Sequence, residues 1–442
     1  MQHQDPVVDK IIAHLARVAA DGVPEAVAAG AKAFIADTLA VGIGGARAPW
    51  RAEALDMAKG GPAEAAVWGG GGRLPLAAAA MVNAFQVHAQ EFDPVHEAAV
   101  VHPLAAVLAG ALGWAERYGG VTGKDLLRAV VAGADVAVTL GLCSRAPMRF
   151  FRPANCSGFG AVAALALLAG LDETPTRDAL GIYYGQCAGT MQAHIEASPQ
   201  LAMQMGFAAR NAVTAVELAR RGMPGPRAPI SGPFGYFAVF DGAADPAPFD
   251  TLGAAWRIAE LSHKPFPSGR ATHGGVDGLQ RLAAAHGIAA DHVQTGRFLV
   301  PPLTHRLVGR QPAPAMSIAH ARLCLAYCGA VVLRRGTLGL GDFTPEALTD
   351  PGTLALADRL HVIADANPDP NALHPVRVEL DLPGDRRVAC DVADVLGSPA
   401  HPLSPAAARA KFAACGGADA LWDAVMALET LEDAAALARL AA

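Results

Sequence analysis

The sequence contains few charged residues, and those it contains form no basic run. Of its 442 residues 17% are charged, and the formal net charge is −6. Proteins that bind nucleic acid or an anionic membrane surface present a basic patch or a basic amphipathic helix, and neither pattern occurs here. We therefore expect small molecules as partners, with no nucleic acid and no membrane.

Paired cysteines and long apolar runs are also missing. The seven cysteines are odd in number and scattered, and no C-x-x-C spacing indicates a zinc or redox site. The longest apolar stretch, residues 158–171, is shorter than the ~20 residues that a membrane span needs. The first residues show no basic region followed by an apolar run. These features predict reduced, mostly buried thiols and a cytoplasmic protein.

Small apolar residues dominate the first half of the chain. Hydrophobic residues make up 52% of the sequence, and from about residue 8 to residue 222 they recur with a helical period. Alanine and glycine are frequent in residues 105–114 and 158–168, which predicts buried helices that pack closely. A basic pair followed by Gly222 and Pro224 predicts the end of a helix that covers roughly residues 207–221.

Past residue 264 the pattern becomes mixed. Residues 293–308 and 376–392 contain β-branched residues in partial alternation, and Pro383-Gly384-Asp385 predicts a hairpin turn in the second segment. Residues 317–335 predict a helix between them, and the tail from Ser404 is again helical.

The predicted fold class is mainly α. We expect a large all-α domain formed by residues 1–263 and completed by residues 397–442, with a smaller α+β domain over residues 264–396 inserted into it. No internal repeat is visible.

Six ionisable side chains lie within fifteen residues of one another. They are His88, Glu91, Asp93, His96, Glu97 and His102. Carboxylates beside imidazoles are the groups that proton transfer at neutral pH requires. A divalent metal is the alternative, but no H-E-x-x-H or comparable ligand spacing supports it. We interpret the cluster as the centre of an active site without a metal, in which His96 and Glu97 serve the loop structure.

The spacing within this cluster suggests a local geometry. His88 and Glu91 are three residues apart, so on a helix they would point to the same side. The Asp93-Pro94 step favours an exit into a loop, which would carry His96 and Glu97 and return at His102.

A second polar segment covers residues 262–274. Its donors are Lys264, Ser268, Arg270 and His273, and a helix is predicted over residues 275–285. His273 would lie near the start of that helix, where the helix dipole favours bound anions. The segment therefore predicts a carboxylate site; the alternative is that Lys264 and Arg270 face solvent.

Tyr327 lies in an otherwise apolar predicted helix. A tyrosine in such a position is more often a core residue with a satisfied hydroxyl than a catalytic acid, and spacing alone favours the core interpretation.

The chain resembles the MmgE/PrpD family, which includes 2-methylcitrate dehydratase, cis-aconitate decarboxylase and iminodisuccinate epimerase. No single motif is decisive, but their order is specific. The matching segments are DTLAVG at 37–42, NAFQVH at 83–88, EFD at 91–93, HP at 102–103, FGA at 159–161, LAGL at 168–171, GFAA at 206–209, SGPFG at 231–235, KPFP at 264–267 with His273, GSPAHPLS at 397–404 and KF at 411–412.

The resemblance implies a mainly helical domain with a smaller α+β lid, a homodimer, and cofactor-free chemistry on small di- or tricarboxylates in a cleft between the domains. It also implies roles for single residues. Glu91 occupies an acidic position of the family that is usually Asp, and His102, Lys264 and Tyr327 match residues that the family uses in its site. The prediction for Tyr327 therefore shifts toward catalysis.

Two departures from the family pattern change the expected charge of the site. Where the family commonly has a histidine before the Gly-Phe-Gly helix, Arg152 is the nearest residue, and arginine can bind a carboxylate but cannot shuttle protons at neutral pH. Where the family tends to have a lysine before Gly206, this chain has Leu201 and no cation.

The sequence thus predicts a cofactor-independent lyase or isomerase that moves a proton on the carbon next to a carboxylate of a small polycarboxylate. Glu91, His102, Lys264 and Tyr327 are the predicted catalytic residues; His88, Asp93, Arg152, Ser268 and His273 are predicted to orient them or to bind substrate. The departures favour an isomerase or epimerase over a standard dehydratase or decarboxylase. A metal-dependent lyase and an inactive carboxylate-binding dimer remain as alternatives.

Overall fold

A computed structural model describes residues 5–442 of the chain, and this described part is mainly α, with 56% of it helical. The helices are α1 (Pro6–Asp21), α2 (Glu25–Gly44), α3 (Arg51–Met57), α4 (Leu76–His88), α5 (Leu104–Tyr118), α6 (Gly123–Leu142), α7 (Arg152–Leu168), α8 (Glu173–Tyr184), α9 (Gln192–Ile195), α10 (Gln200–Arg220), α11 (Arg270–His286), α12 (Pro302–Val308), α13 (Ile318–Arg322), α14 (Leu325–Arg335), α15 (Pro351–Ala357), α16 (Pro405–Ala414), α17 (Asp419–Met426) and α18 (Ala435–Ala441). The prediction of a mainly α fold is confirmed.

Within residues 5–442, six strands form two sheets. The strands are β1 (Ala65–Ala66), β2 (Arg73–Leu74), β3 (Thr295–Val300), β4 (Leu360–Ala364), β5 (Val376–Leu382) and β6 (Arg386–Val392). The strands β1 and β2 pair with each other, and the other four form one sheet in the order β4-β3-β5-β6.

The described chain divides into two compact units. The helical unit comprises residues up to Met191, Pro199–His263 and Ser404–Ala442; the mixed unit comprises Gln192–Ser198 and Lys264–Leu403. The sequence-based boundaries at 263 and 397 differ from this division in two places. The short helix α9 belongs to the mixed unit, and the return to the helical unit comes at residue 404.

Close helix packing in the helical unit depends on glycine. A Cβ atom on Gly133 of α6 would lie 2.7 Å from the carbonyl oxygen of Gly160, and one on Gly160 of α7 would lie 2.3 Å from the carbonyl oxygen of Gly133. Because real Cβ atoms do not approach this closely, the two helices can cross here only without side chains. The Ala- and Gly-rich segments therefore form closely packed, buried helices, as predicted.

Proline and aspartate determine where several helices begin. Asp5 accepts hydrogen bonds from the backbone nitrogens of Val7 and Val8, and Pro6 occupies the first position of α1. Pro199 precedes α10, which begins at Gln200 rather than near the predicted residue 207. The apolar period alone did not reveal this first turn, because it contains Gln200 and Gln204.

The helical unit is not purely α, and the all-α prediction for this region is wrong in one detail. The strands β1 and β2 pair antiparallel and are joined by residues 67–72. Gly69, Gly70 and Gly72 in this turn have positive φ angles, a conformation that glycine adopts without strain. Two-residue strands are too short to produce an alternating pattern in the sequence.

The mixed unit contains a helix packed against its sheet. β3 pairs parallel with β4 and antiparallel with β5, and β5 and β6 form the predicted hairpin around residues 383–385. A Cβ atom on Gly274 or Gly278 of α11 would lie 2.8 or 2.5 Å from valine side chains of β5. Glycine at these positions lets α11 approach the sheet closely.

Two predicted elements of the mixed unit are shorter than expected. The strand predicted over residues 293–308 ends at Val300, because Pro301 and Pro302 cannot continue the ladder and instead begin α12. The helix predicted over residues 317–335 is interrupted at Leu323 and Cys324, where the backbone leaves the helical region.

The segment Glu25–Arg47, which contains α2, is long and apolar enough to cross a membrane. The sequence-based prediction that no segment spans a membrane considered residues 158–171 and not this segment. However, 61% of its most apolar window is buried inside the protein, and Asp37 on α2 forms a buried ion pair with Lys411. These contacts are those of a core helix.

Candidate active site

The polar cluster begins at the last residue of α4. His88 ends the helix, and the backbone nitrogen of Glu91 donates to the carbonyl oxygen of His88 in the turn that follows. Glu91 has a φ of 50°, in the left-handed region. The expectation that His88 and Glu91 share a helix face is therefore wrong, although the turn still brings the His88 Nε2 atom within 3.7 Å of the Glu91 carboxylate.

One carboxylate contacts two imidazoles. The Asp93 Oδ2 atom lies 3.0 Å from Nδ1 of His88 and 3.0 Å from Nδ1 of His102. The two rings are arranged edge to face, with centroids 4.8 Å apart. Asp93 is 1% exposed, His88 2% and His102 8%, so the three groups are screened from water. We call these three residues the His-Asp-His cluster.

The geometry of this cluster selects a tautomer. The His88 Nδ1 atom lies 3.2 and 3.0 Å from the two Asp93 oxygens, and a carboxylate only accepts hydrogen bonds, so this ring presents a protonated Nδ1 to Asp93. The Nε2 atom of a neutral ring is then the basic nitrogen, as in catalytic His-Asp pairs. Asp93, 3.0 Å from His102 Nδ1, can stabilise the imidazolium that forms when His102 accepts a proton.

The same three residues are the ones that could hold a divalent metal. Their ligand atoms lie within 4.8 Å of one another, and two imidazoles with a carboxylate suit several transition metals. Both Nδ1 atoms, however, lie at hydrogen-bond distance from a single carboxylate oxygen. The contact of His88 is that of a hydrogen-bonded pair, whereas a metal would require these donors to separate around it.

A short hairpin carries the chain from Asp93 to His102. His96 and Val101 exchange backbone hydrogen bonds of 2.9 and 3.3 Å, and Val95 pairs with Ser262. The ring of His96 accepts from the backbone nitrogen of Ala99 and contacts Glu260 at 2.9 Å. The hydrogen bond from His96 holds the pKa of Glu260 below its usual value. These contacts agree with the structural interpretation of His96.

Val100 gives this hairpin a strained backbone. Its φ is 51°, a conformation that is unfavourable for a β-branched residue. The adjacent carbonyl of Ala99 accepts a hydrogen bond of 3.1 Å from the Arg152 guanidinium, at the first residue of α7. Arg152 is 6% exposed. It thus supports the turn that leads to His102, a contact that the sequence did not predict.

A buried ion pair supports the other end of the loop. The Lys411 ammonium lies 2.7 Å from the Asp37 carboxylate, donates to the carbonyl oxygen of Phe92 at 2.8 Å, and lies 4.1 Å from the centroid of the Phe92 ring. Both charged groups are buried. Asp37 and Lys411 appeared in the sequence only as motif residues; the structure shows that they position the residue before Asp93.

The second predicted segment lies in the mixed unit. Lys264, Ser268 and His273 are each 0% exposed, and Arg270 is 6% exposed, so the alternative in which the cations face solvent is wrong. Arg270 donates to the carbonyl oxygens of Val395 and Leu396.

Helix α11 begins at Arg270 rather than at residue 275, which places His273 in its first turn. The ring of His273 contacts the Ser268 carbonyl oxygen at 3.1 Å, and the Ser268 hydroxyl contacts that of Thr272 at 2.7 Å. The structure thus brings Ser268 and His273 together.

Tyr327 lies in α14 of the mixed unit and is 1% exposed. Its hydroxyl donates to the carbonyl oxygen of Asp342 at 2.7 Å, and burial raises its pKa. A hydroxyl held in this way matches the core interpretation that spacing alone favoured.

A further buried His-Asp contact was not predicted. The His14 Nε2 atom on α1 lies 3.2 Å from the Asp135 carboxylate on α6, and neither side chain is exposed. Asp135 also accepts a 2.7 Å hydrogen bond from the backbone nitrogen of Arg257, and burial raises the pKa of Asp135. The partners are far apart in the sequence and each lies in an ordinary amphipathic helix, so no local pattern marks them.

The two sequence models of one family cover most of the chain. The model of the MmgE/PrpD N-terminal domain matches residues 9–248, and that of the MmgE/PrpD C-terminal domain matches residues 266–420. The chain belongs to the MmgE/PrpD family. The resemblance inferred from the ordered motifs is thereby confirmed.

Curated relatives are fungal proteins of this type. A cis-aconitate decarboxylase-like protein, oryM, of Aspergillus oryzae is 27% identical over 363 residues, which cover 76% of this chain and 75% of the relative. A cis-aconitate decarboxylase of Aspergillus terreus is 28% identical over 294 residues, covering 62% of this chain and 60% of the relative. A second A. terreus sequence of that name is 29% identical and is covered over 58% of its length. Family membership and these relatives support an enzyme of the lyase type.

Proposed function

We propose that this protein of the MmgE/PrpD family is a cofactor-independent lyase or isomerase of small tricarboxylates or dicarboxylates. Its chemistry would be proton transfer at the carbon next to a carboxylate. The observation that carries the proposal is the shared contact of His88 and His102 with one Asp93 oxygen, at 3.0 Å each. An imidazole base beside a carboxylate in a buried setting suits proton abstraction from carbon.

In this proposal His102 and Lys264 transfer protons. Asp93 orients His102, and Glu91 and His88 set the charge around it, while Arg152, Ser268 and His273 bind substrate carboxylates. The names of the fungal relatives support a tricarboxylate such as cis-aconitate as the first substrate to test. After proton abstraction, departure of a neighbouring hydroxyl as water gives a dehydratase, and return of a proton to the opposite face gives an isomerase. In a decarboxylase a group instead delivers a proton to an alkene carbon while the C–CO2 bond breaks, and the electron pair of that bond forms the new double bond.

Proton NMR in D2O tests the reaction class. The protein is incubated with cis-aconitate and with a panel of di- and tricarboxylates, and the products are followed directly. Deuterium incorporation with retention of all carbons and oxygens identifies an isomerase, a new olefin identifies a dehydratase, and loss of a carbon identifies a decarboxylase. Absence of all three changes across the panel would contradict proton-transfer chemistry on this class.

Single variants test the roles of the proposed groups. His102→Ala and Lys264→Ala are expected to lose at least about 100-fold in kcat, the scale of a lost general acid or base. His292→Ala and Lys59→Ala are matched controls, because these side chains are 58% and 64% exposed. Turnover at the wild-type rate in either site variant would sink its assignment.

Chelation separates the metal-dependent alternative. Because His88, Asp93 and His102 could hold a metal, activity is measured after dialysis against EDTA and again after Zn2+ or Mn2+ is added. Full activity in the dialysed protein supports the proposal, and loss that metal restores contradicts it. An inactive carboxylate-binding protein would show thermal stabilisation by a polycarboxylate without any turnover.

We further propose, from the family resemblance, that the protein is a homodimer. Sedimentation velocity tests this oligomeric state.

A further inference from the structure

The helical unit contains a cavity whose lining differs in chemistry from the His-Asp-His cluster. Its volume is about 450 Å3, within the range of small-molecule sites. Five amide side chains lie in its wall beside apolar surface, no carboxylate lines it, and none of the predicted site residues does. The amide side chains of the wall are those of Asn155, Gln186, Gln200, Gln204 and Asn211.

Hydrogen bonds fix the orientation of two of these amides. The Asn155 Oδ1 atom accepts from the backbone nitrogen of Ala188 at 3.2 Å, so its Nδ2 group is the free end. The Gln204 Nε2 group donates to the carbonyl oxygen of Thr190 at 3.4 Å and to the Gln200 Oε1 atom at 3.2 Å, so Oε1 is its free end. The network therefore assigns one donor and one acceptor.

Neither free end has a hydrogen-bond partner within residues 5–442. Asn155 is 2% exposed and Gln204 4% exposed, and both the Asn155 Nδ2 and Gln204 Oε1 atoms are buried. Leaving a buried polar atom without a partner costs about 1–3 kcal/mol, so such atoms are rare unless another molecule satisfies them. Two of them in the wall of one cavity point to a ligand.

The two side chains contact consecutive residues. Asn155 is bonded to Ala188, and the Gln204 Oε1 atom lies 1.8 Å from the position that a Cβ atom on Gly189 would occupy. Consecutive Cα atoms are about 3.8 Å apart, so one small molecule can reach both side chains. Glycine at position 189 leaves the room that the Gln204 oxygen fills.

We propose that this cavity binds a small neutral ligand with a carboxamide or lactam edge, such as a pyrimidine ring. The ligand carbonyl would accept from Asn155, and the adjacent N–H would donate to Gln204. Arg210, the cation of the wall, is exposed, hydrogen-bonded to Asn211 and stacked on the Phe207 ring, so it lies at the rim. The buried amides of the wall carry no charge, so they offer an anion no counter-charge and match the donor and acceptor of an amide edge.

This site goes beyond the proposed function, because its ligand is neutral while the proposed substrate is a polycarboxylate. Its wall is nevertheless tied to α7, since the backbone nitrogen of Phe151 donates to the Gly189 carbonyl oxygen at 3.0 Å. Phe151 directly precedes Arg152. A bound ligand would therefore stabilise the start of the helix that supports the hairpin.

Titration of the full-length protein with two probes tests the ligand chemistry. Uracil carries adjacent carbonyl and N–H groups, while 1,3-dimethyluracil keeps both carbonyls and has no N–H group. Calorimetry or saturation-transfer NMR is expected to show that the wild type binds uracil at least about tenfold more tightly, because dimethylation leaves the Gln204 oxygen without a donor. Equal binding of the two probes, or binding of neither, would overturn the proposal.

Variants test the two side chains. Asn155→Asp keeps the acceptor for Ala188 and removes the donor, and it is expected to weaken uracil binding about tenfold. Gln204→Met removes the acceptor, so it should weaken uracil binding while leaving dimethyluracil binding unchanged. Asn367→Asp, in the mixed unit, is the matched control and should bind uracil as the wild type does.

Melting curves confirm that each variant is folded, and the comparison of the two probes on the wild type requires no variant at all. Unchanged uracil binding in folded Asn155→Asp would overturn the assignment of the donor. A change in oligomeric state caused by Asn155→Asp or Gln204→Met would show that a second copy of the chain covers the cavity, which would likewise overturn a small-molecule site. Activity of the His-Asp-His cluster is a separate measurement, so failure here leaves the proposed function standing.

Discussion

Two buried sites in the described part of the helical unit bring histidine against aspartate, and their surroundings differ. His14 and Asp135 join the middle of two helices, and the Asp135 carboxylate also accepts from the backbone of Arg257. Asp93 follows a helix end, contacts two imidazoles, and lies in a segment with left-handed residues at positions 91 and 100. The first contact fastens α1 to α6, whereas the second holds two rings against one carboxylate on a strained loop.

The comparison teaches that residue type and burial do not by themselves indicate catalysis. Both aspartates are buried, and both contact an imidazole. The features that distinguish Asp93 are its second imidazole and its position outside regular structure, where loops carry most catalytic groups.

Replacing each aspartate by asparagine tests the difference between the two sites most directly. In Asp93→Asn the amide can donate to the imidazoles and select the wrong tautomer, so kcat should fall by roughly 10^3- to 10^4-fold, as in catalytic His-Asp pairs. Asp135→Asn is the matched control and should keep kcat within about threefold, as measured with the substrate that the NMR panel identifies. Equal losses in the two variants would show that the distinction is wrong.

Replacing Lys411, the cation that supports the loop before Asp93, has the next largest expected effect. Lys411→Met leaves the buried Asp37 carboxylate without its partner, which should lower the free energy of unfolding by about 3–5 kcal/mol. Urea titration measures this change. The double variant Asp37→Asn/Lys411→Met should recover part of the loss, and a single variant as stable as the wild type would contradict the role of the pair.

The distinction between a structural and a catalytic buried polar group also applies to Tyr327, whose hydroxyl donates to the carbonyl oxygen of Asp342. Tyr327→Phe should lower the free energy of unfolding by about 1–2 kcal/mol, because the buried carbonyl oxygen of Asp342 loses its donor. We expect kcat to stay within about threefold of the wild type. A large loss of kcat at unchanged stability would instead identify Tyr327 as the acid that the family resemblance implied.

The pH dependence of stability should show the smallest effect, with opposite signs for two carboxyls. Burial raises the pKa of Asp135 above 3.8, so its contribution is fully present below pH 3.8 and is lost as the pH rises. The His96 hydrogen bond lowers the pKa of Glu260 below 4.5, so its contribution is present above pH 4.5 and is lost as the pH falls.

Melting temperatures of Asp135→Asn and Glu260→Gln, each relative to the wild type, measure this difference between pH 3.5 and pH 7. With rising pH the relative Tm of Asp135→Asn should increase and that of Glu260→Gln should decrease. Parallel curves for the two variants would contradict the assigned directions.

Local sequence predicted the cluster well because its members are close in the chain. His88, Asp93 and His102 span fifteen residues, and a short hairpin is enough to bring them together. The helical pattern likewise predicted most of the helical unit, and a Pro-Gly-Asp turn predicted the hairpin of β5 and β6. These features depend on residues within one element or on a single turn.

Features that need distant residues were not predicted. The pairs His14–Asp135 and Asp37–Lys411 join segments far apart in the chain, and the support that Arg152 gives to Ala99 depends on how α7 meets the hairpin. The start of α10 was also missed, because glutamines interrupt its apolar period. Gln200 and Gln204 line the cavity proposed above as a ligand site, so the polar residues that concealed the start of the helix belong to that site.

Val100 restricts how this chain can vary. A β-branched residue in the left-handed region costs on the order of 1–3 kcal/mol, which glycine at the same position would not incur. Because the Val100 side chain is buried, its packing offsets part of that cost and limits the number of shapes that the turn can adopt. Glycine at position 100 would remove the strain but also the buried side chain, so a loop that must hold Ala99 and His102 in one arrangement favours valine.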